Sequence, residues 1–131
     1  GFGVLGVGDV AHKDIPIQVA INSVKDIEGY GYSQYGHYCA IVGASREVYC
    51  WGYNGYGQVG QGSTGNSYYT TPQKVLGISG GVSKISCGGY YSGNMCSALL
   101  DSGVVRVWGY NGYGNLGVGD TLNKYVATAP S

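Results

Sequence analysis

Charge is scarce in this sequence. Seven Lys and Arg face seven Asp and Glu among 131 residues, 11% of the chain, for a net charge of zero; soluble domains carry about 25%. A nucleic-acid grip needs a basic patch to neutralise phosphates, and a polybasic membrane anchor needs clustered Lys and Arg. No nucleic-acid partner is therefore expected. No apolar run approaches the ~18 residues of a membrane-crossing helix, so no membrane insertion is expected either. A leader pattern and an initiating Met are both missing, which predicts a mature, trimmed or partial chain. Only two His are present, no H-E-x-x-H occurs, and the seven acids are dispersed. That predicts a protein without an enzyme's acid–base machinery and without a cofactor.

What remains is apolar, aromatic and glycine-rich. Hydrophobic residues make up 44% and aromatics 13%, with 26 Gly, 14 Tyr and 4 Cys. A disordered chain lacks such apolar content, and the length suits one domain. Four cysteines are an even count, compatible with two disulfides in any of three connectivities. Cys39, Cys50, Cys87 and Cys96 are spaced more widely than the C-x2–4-C pairs of a structural zinc site, so no metal is expected. Disulfides point to an oxidising home, extracellular or at the cell surface.

The chain repeats itself. Gly1-Phe2-Gly3-Val4-Leu5-Gly6-Val7-Gly8-Asp9 returns as Gly112-Tyr113-Gly114-Asn115-Leu116-Gly117-Val118-Gly119-Asp120, with a middle copy at Gly55–Gly62. Trp51-Gly52-Tyr53-Asn54-Gly55-Tyr56-Gly57 returns unchanged from Trp108, 57 residues later. Each unit reads as strands. Val82–Cys87 alternates apolar and polar, Val104–Trp108 is β-branched and aromatic, and Ala40–Val42 and Ala98–Leu100 are short apolar runs. Asp101-Ser102-Gly103 is a hairpin signal, and Gly43–Arg46 serves the earlier unit. Strand-rich repeats of this length are blades of a β-propeller.

Four strands per unit are predicted. The inner strands are Val24–Glu28 and Val82–Cys87, the second His37–Val42 and Cys96–Leu100, and the third Val48–Gly52 and Val104–Gly109. The outer strands are Gln73–Leu76, entered after Pro72, and Tyr125–Thr128. Pro16-Ile17-Gln18-Val19 matches Pro72-Gln73-Lys74-Val75 and predicts an orphan outer strand. The expected organisation is all-β: residues 1–22 end a preceding repeat, 23–80 form one blade and 81–131 a second. Two blades are too few to close a ring. The chain is therefore expected to be part of a longer propeller, or to share blades with copies of itself.

The string from His37-Tyr38-Cys39-Ala40-Ile41 to Cys50-Trp51-Gly52-Tyr53-Asn54-Gly55-Tyr56-Gly57-Gln58-Val59-Gly60 resembles the regulator of chromosome condensation repeat, G-x-x-H-x-x-A-L, a turn, then W-G-x-N-x-x-G-Q-L-G-x-G. The resemblance covers essentially the whole chain and implies a propeller that binds protein partners. The Cys-Ala and Cys-Trp-Gly pair is similar to secreted, bacterial-type copies. In the second unit Met95 stands where the His falls, Cys96 comes one position early, and Val107 replaces the second Cys. On this strand reading Cys39 and Cys50 flank a hairpin and are expected to bond. Cys87 and Cys96 then form the second bridge.

The remaining motifs take structural readings. G-x-G-x-x-G occurs three times with the repeat, but no βαβ context follows, so these are turn glycines and not a nucleotide loop. Gly52, Gly57, Gly60, Gly109, Gly114 and Gly117 share this structural role. Asn54 and Asn111 precede glycine and are expected in left-handed turns. Trp51 and Trp108 sit inside strands and are expected to pack between blades, with sugar stacking the alternative. His37 is expected to be structural, and His12 lies alone in a loop. Tyr53, Tyr56, Tyr68, Tyr69, Tyr90, Tyr91, Tyr110 and Tyr113 lie in or beside the glycine-rich connections. They are read either as loop fill or as a binding surface, since Tyr supplies rigid, uncharged contact area. The expected function is a non-enzymatic scaffold that binds a protein partner or copies of itself, including as a fibre subunit. A glycan-binding propeller, with carbohydrate as partner, is the alternative. Others are nucleotide exchange on a small GTPase and inhibition of a secreted enzyme, as the family resemblance implies.

Overall fold

Successive side chains point to opposite faces of a strand, so the alternating segments set the two faces of each sheet. In the computed structural model, which describes residues 2–63, 65–89 and 94–131, they build eight strands. These are β1 (Val24–Tyr30), β2 (His37–Val42), β3 (Glu47–Tyr53), β4 (Tyr68–Lys74), β5 (Val82–Gly88), β6 (Met95–Leu100), β7 (Val105–Gly109) and β8 (Lys124–Thr128). They pair as two antiparallel meanders, β1-β2-β3-β4 and β5-β6-β7-β8. The one helix among the described residues is a single 3-10 turn at Ser33–Tyr35. The all-β, two-blade reading of the sequence therefore holds.

The repeat extends to an irregularity. Both inner hairpins carry a register shift at the same place, between Val24 and Asp26 and between Val82 and Lys84. The extra residue lets side chains three apart share a face. Val82 and Ile85 are thus both buried, at 0% and 1% exposure. Burying such a side chain fully is worth about 1.5–3 kcal/mol. The second blade presents these residues to the first: β5 packs against β1 and β2. Ile41, Val48, Val59, Val75, Val82, Ile85, Ala98, Leu100 and Trp108 then form one continuous core across both sheets.

Two strand expectations are corrected. The outer strand of the first blade does not start after Pro72; it runs Tyr68–Lys74, through the proline. Cys50 pairs with Gln73 and Gly52 with Tyr69, so the register slips beside Trp51 and Pro72 falls in the irregular stretch. A residue with no N–H is accommodated where ladder pairing lapses. Val75 and Leu76 leave the strand, and the Leu76 N–H is donated to the Gly60 carbonyl at 2.9 Å. The second correction concerns Pro16–Val19, which forms no strand. An outer strand needs a third strand beside it, and both third strands here already pair with β4 and β8.

Candidate protein-binding surface

Each third strand ends in a loop whose shape is fixed by one buried asparagine. Asn54 Oδ1 accepts from the Val59 N–H at 3.0 Å, and its Nδ2 donates to the Ser63 and Asn66 carbonyls. Asn111 repeats this, accepting from Leu116 N–H at 2.9 Å and donating to the Asp120 carbonyl at 2.8 Å. Neither asparagine has a positive φ, so the left-handed expectation is replaced by a stapling role. A short polar side chain competing for local backbone groups is suited to it.

The stapled loop plugs the next blade. Trp108 donates its indole N–H to the Gln58 carbonyl at 2.9 Å, and Trp51 donates to the Val4 carbonyl at 3.1 Å. Both tryptophans are buried, as core packing requires. Gly60 turns at φ +69°, and a Cβ there would lie 3.0 Å from the Trp108 ring and 2.9 Å from Val75. Only glycine satisfies both the left-handed backbone and the close approach. Gly57, at φ +89°, lies against the backbone of Lys124 and Tyr125, and Gly52 and Gly109 lie against the backbone that opens β2 and β6. The third loop copy, with Gly114 and Gly117, meets no further tryptophan. Around Gly117 nothing lies within 4 Å of a Cβ position.

The same loops carry the tyrosines. Their rings form an unbroken string along one rim of both blades. Phe2 meets Tyr68 at 5.6 Å, Tyr68 meets Tyr53 at 5.4 Å, and Tyr53 meets Tyr56 at 5.9 Å. Tyr56 reaches across to Tyr110 of the second blade at 5.3 Å, and Tyr110 meets Tyr113 at 5.8 Å. Tyr35 adds an edge contact to Tyr53 at 5.0 Å. These are tilted and edge-on pairs, the arrangements the ring quadrupole favours. Phe2 and Tyr113 at the two ends are exposed, Tyr113 at 88%, while the tyrosines between them are half-buried. Burial first, then the neighbouring Tyr56, Tyr68 and Tyr35, pushes the Tyr53 hydroxyl up to about 12. Burial and Tyr113 raise Tyr110. Tyr53 and Tyr110 therefore stay neutral and present hydroxyl donors over an apolar body. Tyr69 stands apart from it, packed toward the core with its hydroxyl accepting from Gln61. Tyr90 and Tyr91 lie outside the described residues.

A second cluster lies between the blades. Cys39 is bonded to Cys50 across β2 and β3, and Cys87 to Cys96 across β5 and β6. Each pair is directly opposed in its ladder. Cys39 Sγ lies 3.7 Å from Cys96 Sγ, and His37 Nε2 lies 3.1 Å from Cys96 Sγ. His37 is fully buried and its Nδ1 has no hydrogen-bond partner. Burial lowers its pKa to about 4, so the imidazole is neutral. Sequence reading did not foresee this meeting, because His37 and Cys96 are 59 residues apart. It also passed over a G-x-S-x-G string, Gly77-Ile78-Ser79-Gly80-Gly81. That string connects β4 to β5 with no helix after it, unlike the strand–turn–helix setting of a nucleophile elbow.

Consecutive four-stranded meanders, the second plugged by the loop of the first, define the chain as a stretch of β-propeller. It belongs to the regulator of chromosome condensation (RCC1) repeat family. Family models of that description match residues 47–93 and 35–58. The chain is 32% identical over 125 residues to the ultraviolet-B receptor UVR8 of Arabidopsis thaliana, covering 95% of this chain and 27% of the receptor. Human WBSCR16 superposes with a TM-score of 0.75 at 26% identity, over 97% of this chain and 30% of that one. Prp20p of Saccharomyces cerevisiae, with described binding to Gsp1p and histones, superposes at 0.70 and 16% identity, over 99% and 32%. At that identity the likeness shows the fold alone. The chain thus spans about a third or less of these proteins.

Proposed function

We propose that this chain is a non-enzymatic propeller segment that binds a partner protein through its tyrosine rim. The observation that carries the reading is the unbroken ring string from Phe2 to Tyr113, which crosses from one blade to the next. Aromatic residues are enriched and charged ones depleted in the cores of protein interfaces, and a rim already ordered by ring–ring contacts loses little freedom on binding. Relatives of this repeat type are regulators and receptors, and Prp20p is described with protein partners. The two disulfides favour a secreted or surface-exposed location.

A photo-crosslinking residue placed at Tyr113 tests the rim against the same residue at Ser83, on the inner strand. Discrete adducts with one partner from position 113 alone, lost on Tyr53→Ala, support the reading. Adducts equally frequent from both positions sink it. Binding on a glycan array that disappears with Tyr110→Ala would replace the protein partner by carbohydrate.

A second reading is favoured by an apolar groove between Val4, Ile17, Ile27, Tyr38 and Trp51 beside the first blade, which a blade of another copy could cover head to tail. Native and denatured masses distinguish the outcomes. A particle that is a multiple of a 13.6 kDa chain supports sharing of blades between copies.

A further inference from the structure

We infer that the buried His37 and Cys96 and the partly buried Cys87, joined by Cys39, form a soft-metal site, for zinc or a similar ion, when the two disulfides are reduced. Local spacing predicts no such site, since its members come from two blades. The ligand atoms of His37, Cys87 and Cys96 all lie within 4.8 Å of one another. Tetrahedral zinc with Zn–S near ~2.3 Å and Zn–N near ~2.0 Å places ligand sulfurs about 3.8 Å apart and nitrogen about 3.6 Å from sulfur. Cys39 and Cys96 are 3.7 Å apart, and His37 Nε2 is 3.1 Å from Cys96. Closing on an ion therefore needs shifts of a few tenths of an ångström from these two pairs, beyond opening the S–S bonds. Two or three thiolates with one imidazole select zinc or a similarly soft ion over calcium or magnesium.

The imidazole itself is the independent sign. It is fully buried, aims Nε2 at sulfurs, and finds no partner for Nδ1. A disulfide sulfur is a poor acceptor for so costly a buried group, and an unsatisfied buried polar atom needs a reason. In the second blade Met95 fills the same register slot without this burden: His37 pairs with Gly52 as Met95 pairs with Gly109.

The chemistry balances as follows. A dithiol reductant delivers two electrons and two protons to each S–S bond, giving two thiols and leaving as its own disulfide. Each coordinating thiol then releases its proton to solvent as sulfur binds the ion. An oxidising compartment keeps the bridges, and a reducing one exposes the ligands. Each bridge lies within one blade, whereas the ion would draw on Cys39 of the first blade and Cys87 and Cys96 of the second.

The test uses the full chain, reduced with a phosphine, transferred to oxygen-free buffer and titrated with Co2+ and then Zn2+. The expected result is one Co2+ per chain, with intense four-coordinate bands and sulfur-to-cobalt charge transfer, all displaced by Zn2+. His37→Gln weakens binding by about tenfold or more, while Cys50→Ser leaves it nearly unchanged. The oxidised chain shows no charge-transfer band. X-ray absorption of the zinc-loaded wild type keeps the idea exposed should H37Q fail to fold: it must show both imidazole and thiolate neighbours. Absence of binding to the reduced wild type, binding by the oxidised chain, undiminished binding by a folded H37Q, or coordination lacking either ligand type overturns the site.

Discussion

The two blades share a plan and differ at one layer. Both have a bulged inner hairpin, a third-strand tryptophan bonded to a loop carbonyl, and an asparagine that staples the following loop. They part where they touch. The first blade places its disulfide across its middle hairpin and a histidine beside it; the second moves its disulfide to the inner hairpin and carries methionine in the histidine's place. What recurs is what any blade needs to stack. This difference falls at the interface where the two disulfides and an imidazole meet, which makes that interface particular to this segment.

The shared plan is most sharply tested at the tryptophans. Trp108→Ala should cost about 3–5 kcal/mol, the range for large aromatic truncations in a core, measured by denaturant unfolding. Trp51→Ala should fall at the lower end, because Trp51 borders an open apolar groove. Equal losses would mean that the segment before β1 seals its blade as fully as the inter-blade loop does.

The individual layer should show in acid. His37 titrates near 4 in the folded chain and near 6.5 when unfolded, so the unfolded state takes up its proton first. Stability is then full above pH 6.5, declines as pH falls toward 4, and loses nothing more from this group below that. The window is worth on the order of 3 kcal/mol. His37→Met, copying the second blade, should flatten it. A wild-type profile already flat from pH 7 to 4 would place His37 in contact with water.

At the loops, Asn54→Ala and Asn111→Ala each leave a buried N–H unmet and should cost about 1–3 kcal/mol. Similar values for the two would show that the staple works whether or not its loop meets a tryptophan. Gly117→Ala isolates the backbone term alone, about 1–2 kcal/mol for a left-handed residue, since no atom crowds that site. Gly60→Ala should exceed it by the clash with Trp108 and Val75.

Much of this was legible in the residues. The exact return of Trp51–Gly57 at Trp108 located the blades, and period-two alternation located most strands. Pro72 misled, because a proline reads as a strand boundary until the lapse in pairing beside Trp51 is known. Pro16–Val19 misled for a related reason: its likeness to Pro72–Val75 is local, whereas strand formation needs a neighbour. Of the binding rim, the tyrosines were visible but not their order in space. Tyr56 and Tyr110 meet only because a loop of one blade lies over the next. The approach of His37 to Cys96 left no local trace, since a contact between residues 59 apart is created by blade stacking alone.

The stapled loop has a consequence for how such a chain comes together. Asn111 holds its loop in the same form as Asn54 although, among the described residues, that loop meets no further tryptophan. Each blade therefore shapes its key from its own residues. On a ribosome, which emits the chain from its first residue onward, the key always emerges ahead of the lock. Assembly acquires a direction, and a nascent propeller can lengthen one blade at a time onto a surface that is already rigid.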